Sequence, residues 1–219
     1  ELLHRTVILA PPPYEKSMQM VRLPNQKEFT PPPWVPKDVA TYTTIYADIL
    51  HAFDHFGPFF DDMFGEGEKG VWEEVISGLK DDPNGPQIDL RNDLIVHLTG
   101  RATMISDYEL PITPTSERLL YALETRNEKA LSDAIRRIME KDRTMRRREY
   151  AGYVIWEAIP AAAAPPKPKV VLGGVPELGP KPKQQEPPPR MLPSVAITVA
   201  HGHLLVASHF DFLKKVLDH

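Results

Sequence analysis

Residues 194–219 read SVAITVAHGHLLVASHFDFLKKVLDH. Two short apolar runs flank His201-Gly202, the pattern of a β-hairpin closed by a two-residue turn. A helical pattern follows in FDFLKKVLDH, with Ser208 placed like an N-cap and Asp211 like its N3 partner. So short a tail cannot build a core of its own. The hairpin must therefore complete a sheet begun earlier in the chain.

What stands before it is PAAAAPPKPKVVLGGVPELGPKPKQQEPPPRMLP, residues 160–193. Proline-rich chain is extended and semi-rigid, as in an interdomain linker. Because the hairpin needs partner strands, the stretch reads instead as a long insertion within one domain.

Working back from there, Tyr153 and Ile155 alternate with Val154 and Trp156, which predicts a strand. Asn127 caps a predicted helix whose Ala130, Leu131, Ala134, Ile135 and Ile138 form one apolar face. Ala102, Met104 and Tyr108, then Leu119, Tyr121 and Leu123, alternate with polar neighbours as two more strands. Upstream the spacing becomes helical. Tyr42, Ile45, Tyr46, Ile49, Phe53 and Phe56 predict a helix over residues 37–56, broken at Gly57-Pro58. Further helices are expected over residues 71–80 and 90–98, the last stopped by Gly100 as a C′ glycine. LLHRTVILA and MVRLP read as two short N-terminal strands.

The expected fold is α+β, an antiparallel sheet with helices mainly on one face. Residues 1–36 hold the N-terminal strands and a proline-rich connection. Residues 37–100 form a helical subdomain, and residues 101–219 form the sheet domain interrupted at 160–193.

Composition narrows the function. The chain has 219 residues, a formal net charge of −4 and no cysteine. That excludes thiolate chemistry and disulfides, and gives no overall pull toward nucleic acid. No run of about 18 apolar residues is present to insert into a membrane. No phosphate-binding glycine loop, dinucleotide fingerprint or nucleophile elbow occurs. No catalytic residues and no cofactor are expected. The chain starts at Glu1, consistent with a fragment of a longer or processed protein.

Several clusters invite chemistry. In HAFDH, residues 51–55, His51 and His55 lie four apart on a predicted helix, so they share a face and, with Asp48, compose a candidate divalent-metal site. The helical wheel puts them on the solvated side, and the glutamate that serves metalloproteases as general base is missing. His201, His203 and His209 stand near Ser208 and Asp211 without the strained turn a nucleophilic serine needs. Arg136 to Arg148 is strongly basic and reads as a solvated helix end. Phe53, Phe56, Phe59, Phe60 and Phe64 read as core packed on the sheet, with a ligand-carrying patch as the alternative. PPPR at 187–190 has the look of a polyproline ligand, but reads as a passive spacer.

The segments DLRNDLIVHLTGRATMISDY, SERLLYALETRNEKAL, GYVIWEAI and AHGHLLVAS together resemble an uncharacterised family of large bacterial proteins, secreted or envelope-associated. The resemblance implies an extracytoplasmic location and supplies no catalytic residues. The expected function is a non-enzymatic structural or protein-interaction module of a larger envelope protein, with a protein partner. The alternative is a metal-binding protein using His51, His55 and Asp48.

Overall fold

The computed structural model describes residues 13–24, 26, 28–113, 115–159 and 194–219. Within them the chain is α+β, built on one seven-stranded antiparallel sheet. The strands are β1 (Thr41–Tyr46), β2 (Leu98–Tyr108), β3 (Glu117–Thr125), β4 (Met145–Tyr150), β5 (Tyr153–Ala158), β6 (Ala196–Ala200) and β7 (His203–Ala207). Their spatial order is β1-β2-β3-β7-β6-β5-β4.

The C-terminal hairpin is thus the middle of the sheet. β7 pairs with β3, Leu123 opposite Leu204, and β6 pairs with β5, Trp156 opposite Ile197. His201 and Gly202 adopt φ of +53° and +73°, the left-handed pair that a tight hairpin turn requires. Strands β5 and β6, on either side of residues 160–193, are direct neighbours, so both belong to the same sheet. Residues 160–193 themselves, with PPPR, lie outside the described residues, as does LLHRTVILA.

Connectivity decides which faces are covered. From β3 at the centre, the chain must reach β4 at the far edge. Helix α4 (Glu128–Lys141) makes that crossing, seating Leu131 and Ile135 on Leu98, Trp156 and Leu204. The Asn127 side chain caps it, accepting the Ala130 N–H at 3.1 Å. Helix α5 (Phe210–Leu217) folds back onto the opposite face, burying Phe212, Leu213 and Val216 against Ile105, Leu120 and Leu205. Trp34 and Val35, from the proline-rich connection, complete that core.

Helices α1 (Ile49–Asp54), α2 (Gly57–Phe64) and α3 (Val71–Asp81) stand between β1 and β2 in sequence. Ile49 joins the α4 side of the sheet, as do Leu94 and Ile95, so the helical contacts fall mainly on that face.

Four local expectations fail. Residues 41–46 are not helix but edge strand β1, and the helix shrinks to α1. Tyr42 and Tyr46 fit both periods; the β-branched run Thr43-Thr44-Ile45 favours the strand. The segment after Asp89 is a π turn (Leu90–Leu94) and a 3-10 turn (Ile95–His97), and Gly100 sits inside β2 at φ +101°. There a Cβ would meet Ala47 O at 2.2 Å, so glycine permits the close approach of β1. The basic run ends α4 and then forms β4, with Arg146, Arg147 and Arg148 along an edge. Met20 ends a 3-10 turn (Lys16–Met20), and MVRLP forms no strand.

Candidate functional site

Asp48 caps the start of α1, His51 lies within it and His55 caps its C-terminal end. The two imidazole centroids are 4.2 Å apart, and His55 Nδ1 lies 2.9 Å from the His51 carbonyl. Asp48 is engaged twice: one oxygen caps the His51 N–H, the other meets Arg22 at 3.3 Å. Asp54 forms a two-pronged pair with Arg91, whose guanidinium holds that carboxyl below its usual range. Among the described residues, no group of three or more histidine, cysteine or acidic side chains is arranged to hold a metal ion.

Ser208 is not an N-cap. His209 occupies that position, while Ser208 Oγ accepts the Leu119 N–H at 2.9 Å and fastens β3 to the segment after β7. Arg118, its guanidinium buried, meets Asp211 at 3.2 Å and also binds Glu109 and the Thr115 carbonyl. Lys215 bridges Asp38 and Asp107 at 2.9 and 2.8 Å. These pairs bind α5 to the β2–β3 hairpin, and each cation in them has an anionic partner. Asp61 has a similar role: it accepts the Gly70 and Trp72 N–H groups at 2.7 and 2.9 Å, fixing the start of α3. Those two bonds keep its carboxyl ionised below the ordinary range.

Phe53, Phe56 and Phe60 pack on Trp72 rather than on the sheet, with Phe59 against Phe56 and Phe64 against Phe60. Phe56 and Phe60 stand 4.7 and 5.1 Å from its ring, and the rings fill the space between α2 and α3.

His203 is buried on the α5 face with Nδ1 2.7 Å from the His201 carbonyl, leaving Nε2 without a partner. His201 Nε2 and Trp34 Nε1 are likewise buried and unpartnered. The three rings form one packed group, Trp34 to His203 at 4.8 Å and Trp34 to His201 at 6.3 Å.

The other face holds the most open surface. Helix α4 crosses the β7–β6–β5 half, and Ile49, Leu94 and Ile95 cover the Leu98 end of β2, but among the described residues the rest of the β1–β2–β3 half lies open. Thr43, Ile45, Ala102, Met104, Tyr121 and Leu123 line an apolar recess there of about 290 Å³. Ile45 is 53% and Tyr121 41% exposed. At the end of the same strands Tyr108, Leu110 and Ile112 are exposed as well. Alternation in the sequence names Met104, Tyr121 and Leu123 as one face of two strands. It points them to a core, because it does not reveal that the crossover helix passes over the other half.

No protein-family model, curated protein or solved structure matches the chain. Among the described residues, no helix is long and apolar enough to cross a membrane.

Proposed function

We propose that this chain is a non-enzymatic interaction module of a larger bacterial envelope protein. The bare half-sheet around Ile45, Met104 and Tyr121 is the observation that carries this reading. Monomeric proteins seldom leave contiguous apolar surface open without a partner to receive it. The polar clusters, by contrast, are spent on structure: Arg118, Lys215 and Asp61 each hold two elements together. The resemblance to envelope-associated proteins and the absence of cysteine support the location.

The test places a photo-crosslinking amino acid at Tyr121 of the native full-length protein, with Glu140 on α4 as control position. A defined protein adduct at Tyr121, absent at Glu140 and lost on Met104→Lys, is expected. Equal labelling at both positions, or saturable turnover on a hydrolase panel abolished by one substitution, overturns the reading.

The 4.2 Å approach of His51 and His55 supports a second reading, a divalent-metal site completed by Asp48. It requires Asp48 to leave Arg22. A metal-dependent rise in melting temperature that His51→Ala abolishes would establish it; no shift with zinc, nickel or copper would end it.

A further inference from the structure

The two edges of the sheet differ in a way that the fold does not require. At one edge, β4 carries Arg146, Arg147, Arg148 and Glu149 in succession. Charge in that density blocks pairing with another strand. At the other edge, β1 reads TYTTIY, six residues without charge, proline or glycine. Among the described residues it pairs on one side only, with β2.

The Ala47 N–H bond to the Gly100 carbonyl, 2.9 Å, sets the phase of the ladder. Odd-numbered β1 residues direct their backbone groups toward β2, and Tyr42, Thr44 and Tyr46 direct theirs outward. No backbone hydrogen bond joins those three to another described segment. The connection beside β1 takes the Tyr46 and Tyr42 hydroxyls at the Glu28 and Thr30 carbonyls and the Asp48 N–H, just past the strand, at the Arg22 carbonyl, so among the described residues the backbone edge from Tyr42 to Tyr46 has no outward partner.

We infer that β1 is the self-association strand of this protein, pairing antiparallel with β1 of a second copy about a two-fold axis at Thr44. That register sets Tyr42 opposite Tyr46 and Thr43 opposite Ile45, so rings meet rings and β-branched side chains meet each other. The flanking charges agree. Arg22 and Asp48 stand at the C-terminal end of β1, and Lys37 and Asp38 before its N-terminal end. An antiparallel pair brings these mixed pairs together with no like-charged cluster opposed. Asp38 is held by Lys215, while Lys37 is exposed with no ion pair among the described residues, facing the end that carries Asp48. Pairing turns the two apolar recesses into one surface flanked by two α4 helices. The contact is made along the edge and shares Thr43 and Ile45 with the rim of the recess, while Met104 and Tyr121 on the face take no part in it.

A six-residue strand pair buries less than the ~1,200 Å² of a stable interface, so the equilibrium is concentration-dependent. Sedimentation of the full chain across a hundredfold concentration range is expected to show reversible monomer–dimer exchange. Thr43→Glu and Ile45→Lys, both at exposed positions, should each weaken it at least tenfold. An equimolar mixture of the two should recover association, because the carboxylate introduced at position 43 of one copy then faces the ammonium introduced at position 45 of the other. The reciprocal pair Thr43→Lys and Ile45→Glu repeats the test if either first variant melts abnormally. Tyr121→Lys, two strands in from the edge, should leave association unchanged. A chain that stays monomeric throughout, a mixture that fails to associate, or a dimer abolished by Tyr121→Lys overturns the inference.

Discussion

His203 shows how a single buried ring ties the molecule to pH. Burial pushes its pKa below the ordinary imidazole value, against the His201 carbonyl and Glu124, which favour the proton; Arg101 opposes it. His209 is shifted the same way, by burial and then by Arg118. The unfolded chain binds these protons near pH 6.5, the folded one only at lower pH. Between those values the unfolded state holds more protons, so stability rises with pH and is lost as pH falls below about 6.5. Asp89, held at about 2 by the Asn92 N–H groups and then Lys80, titrates well below this window. Chemical denaturation at pH 5 to 7.5 should therefore show a positive slope that His203→Gln makes shallower. An unchanged slope would remove His203 from the account. Gly100 makes a second residue-scale case. Its positive φ costs an alanine about 1–2 kcal/mol, and the contact with Ala47 O breaks a ladder bond worth about 1 more. Gly100→Ala should thus cost about 2–3 kcal/mol in denaturant unfolding. Gly152→Ala, also at positive φ but with open space around the Cβ position, should cost only the first part.

Among the elements, legibility in the sequence follows how many constraints agree. The hairpin at His201-Gly202 is readable because alternation, a turn pair and a following helix all point one way. Helix α4 is readable from Asn127 and one apolar stripe that Leu131, Ala134 and Ile135 fill as expected. Strand β1 is not, because residues 42, 46 and 49 satisfy a helical period and partner β2 lies more than fifty residues away. Strand β4 gives no apolar signal at all: an edge strand that must stay unpaired is charged on both sides, and MRRREY looks like solvated helix. The metal candidates are legible as neighbours, and the structure does bring His51 and His55 together. The recess is legible only as the apolar faces of β2 and β3, since its third strand, β1, reads as helix. Whether such a face is core or surface depends on where a crossover helix goes, which no local pattern encodes.

At the scale of the whole molecule, the pairing of β3 with β7 joins two meanders, β1–β2–β3 and β4–β5–β6–β7, into one sheet. The first is complete by Thr125; the second needs residues on both sides of 160–193. Helix α5 lies over this junction, and Leu213, fully buried, touches the core shared by Leu120 and Leu205. If the junction makes a single cooperative unit, a large loss at Leu213 is felt in both meanders. Leu213→Ala should cost about 2–5 kcal/mol through lost burial and the cavity left behind. Native-state hydrogen exchange then decides the cooperativity. Amides of β2 and β3 and amides of β5 and β6 should lose protection by the same free energy, because their slowest exchange passes through one global opening. A loss confined to β6 and β7, with β2 and β3 unchanged, would mean that the first meander opens independently. The central hairpin would then dock onto a preformed half-sheet rather than fold together with it.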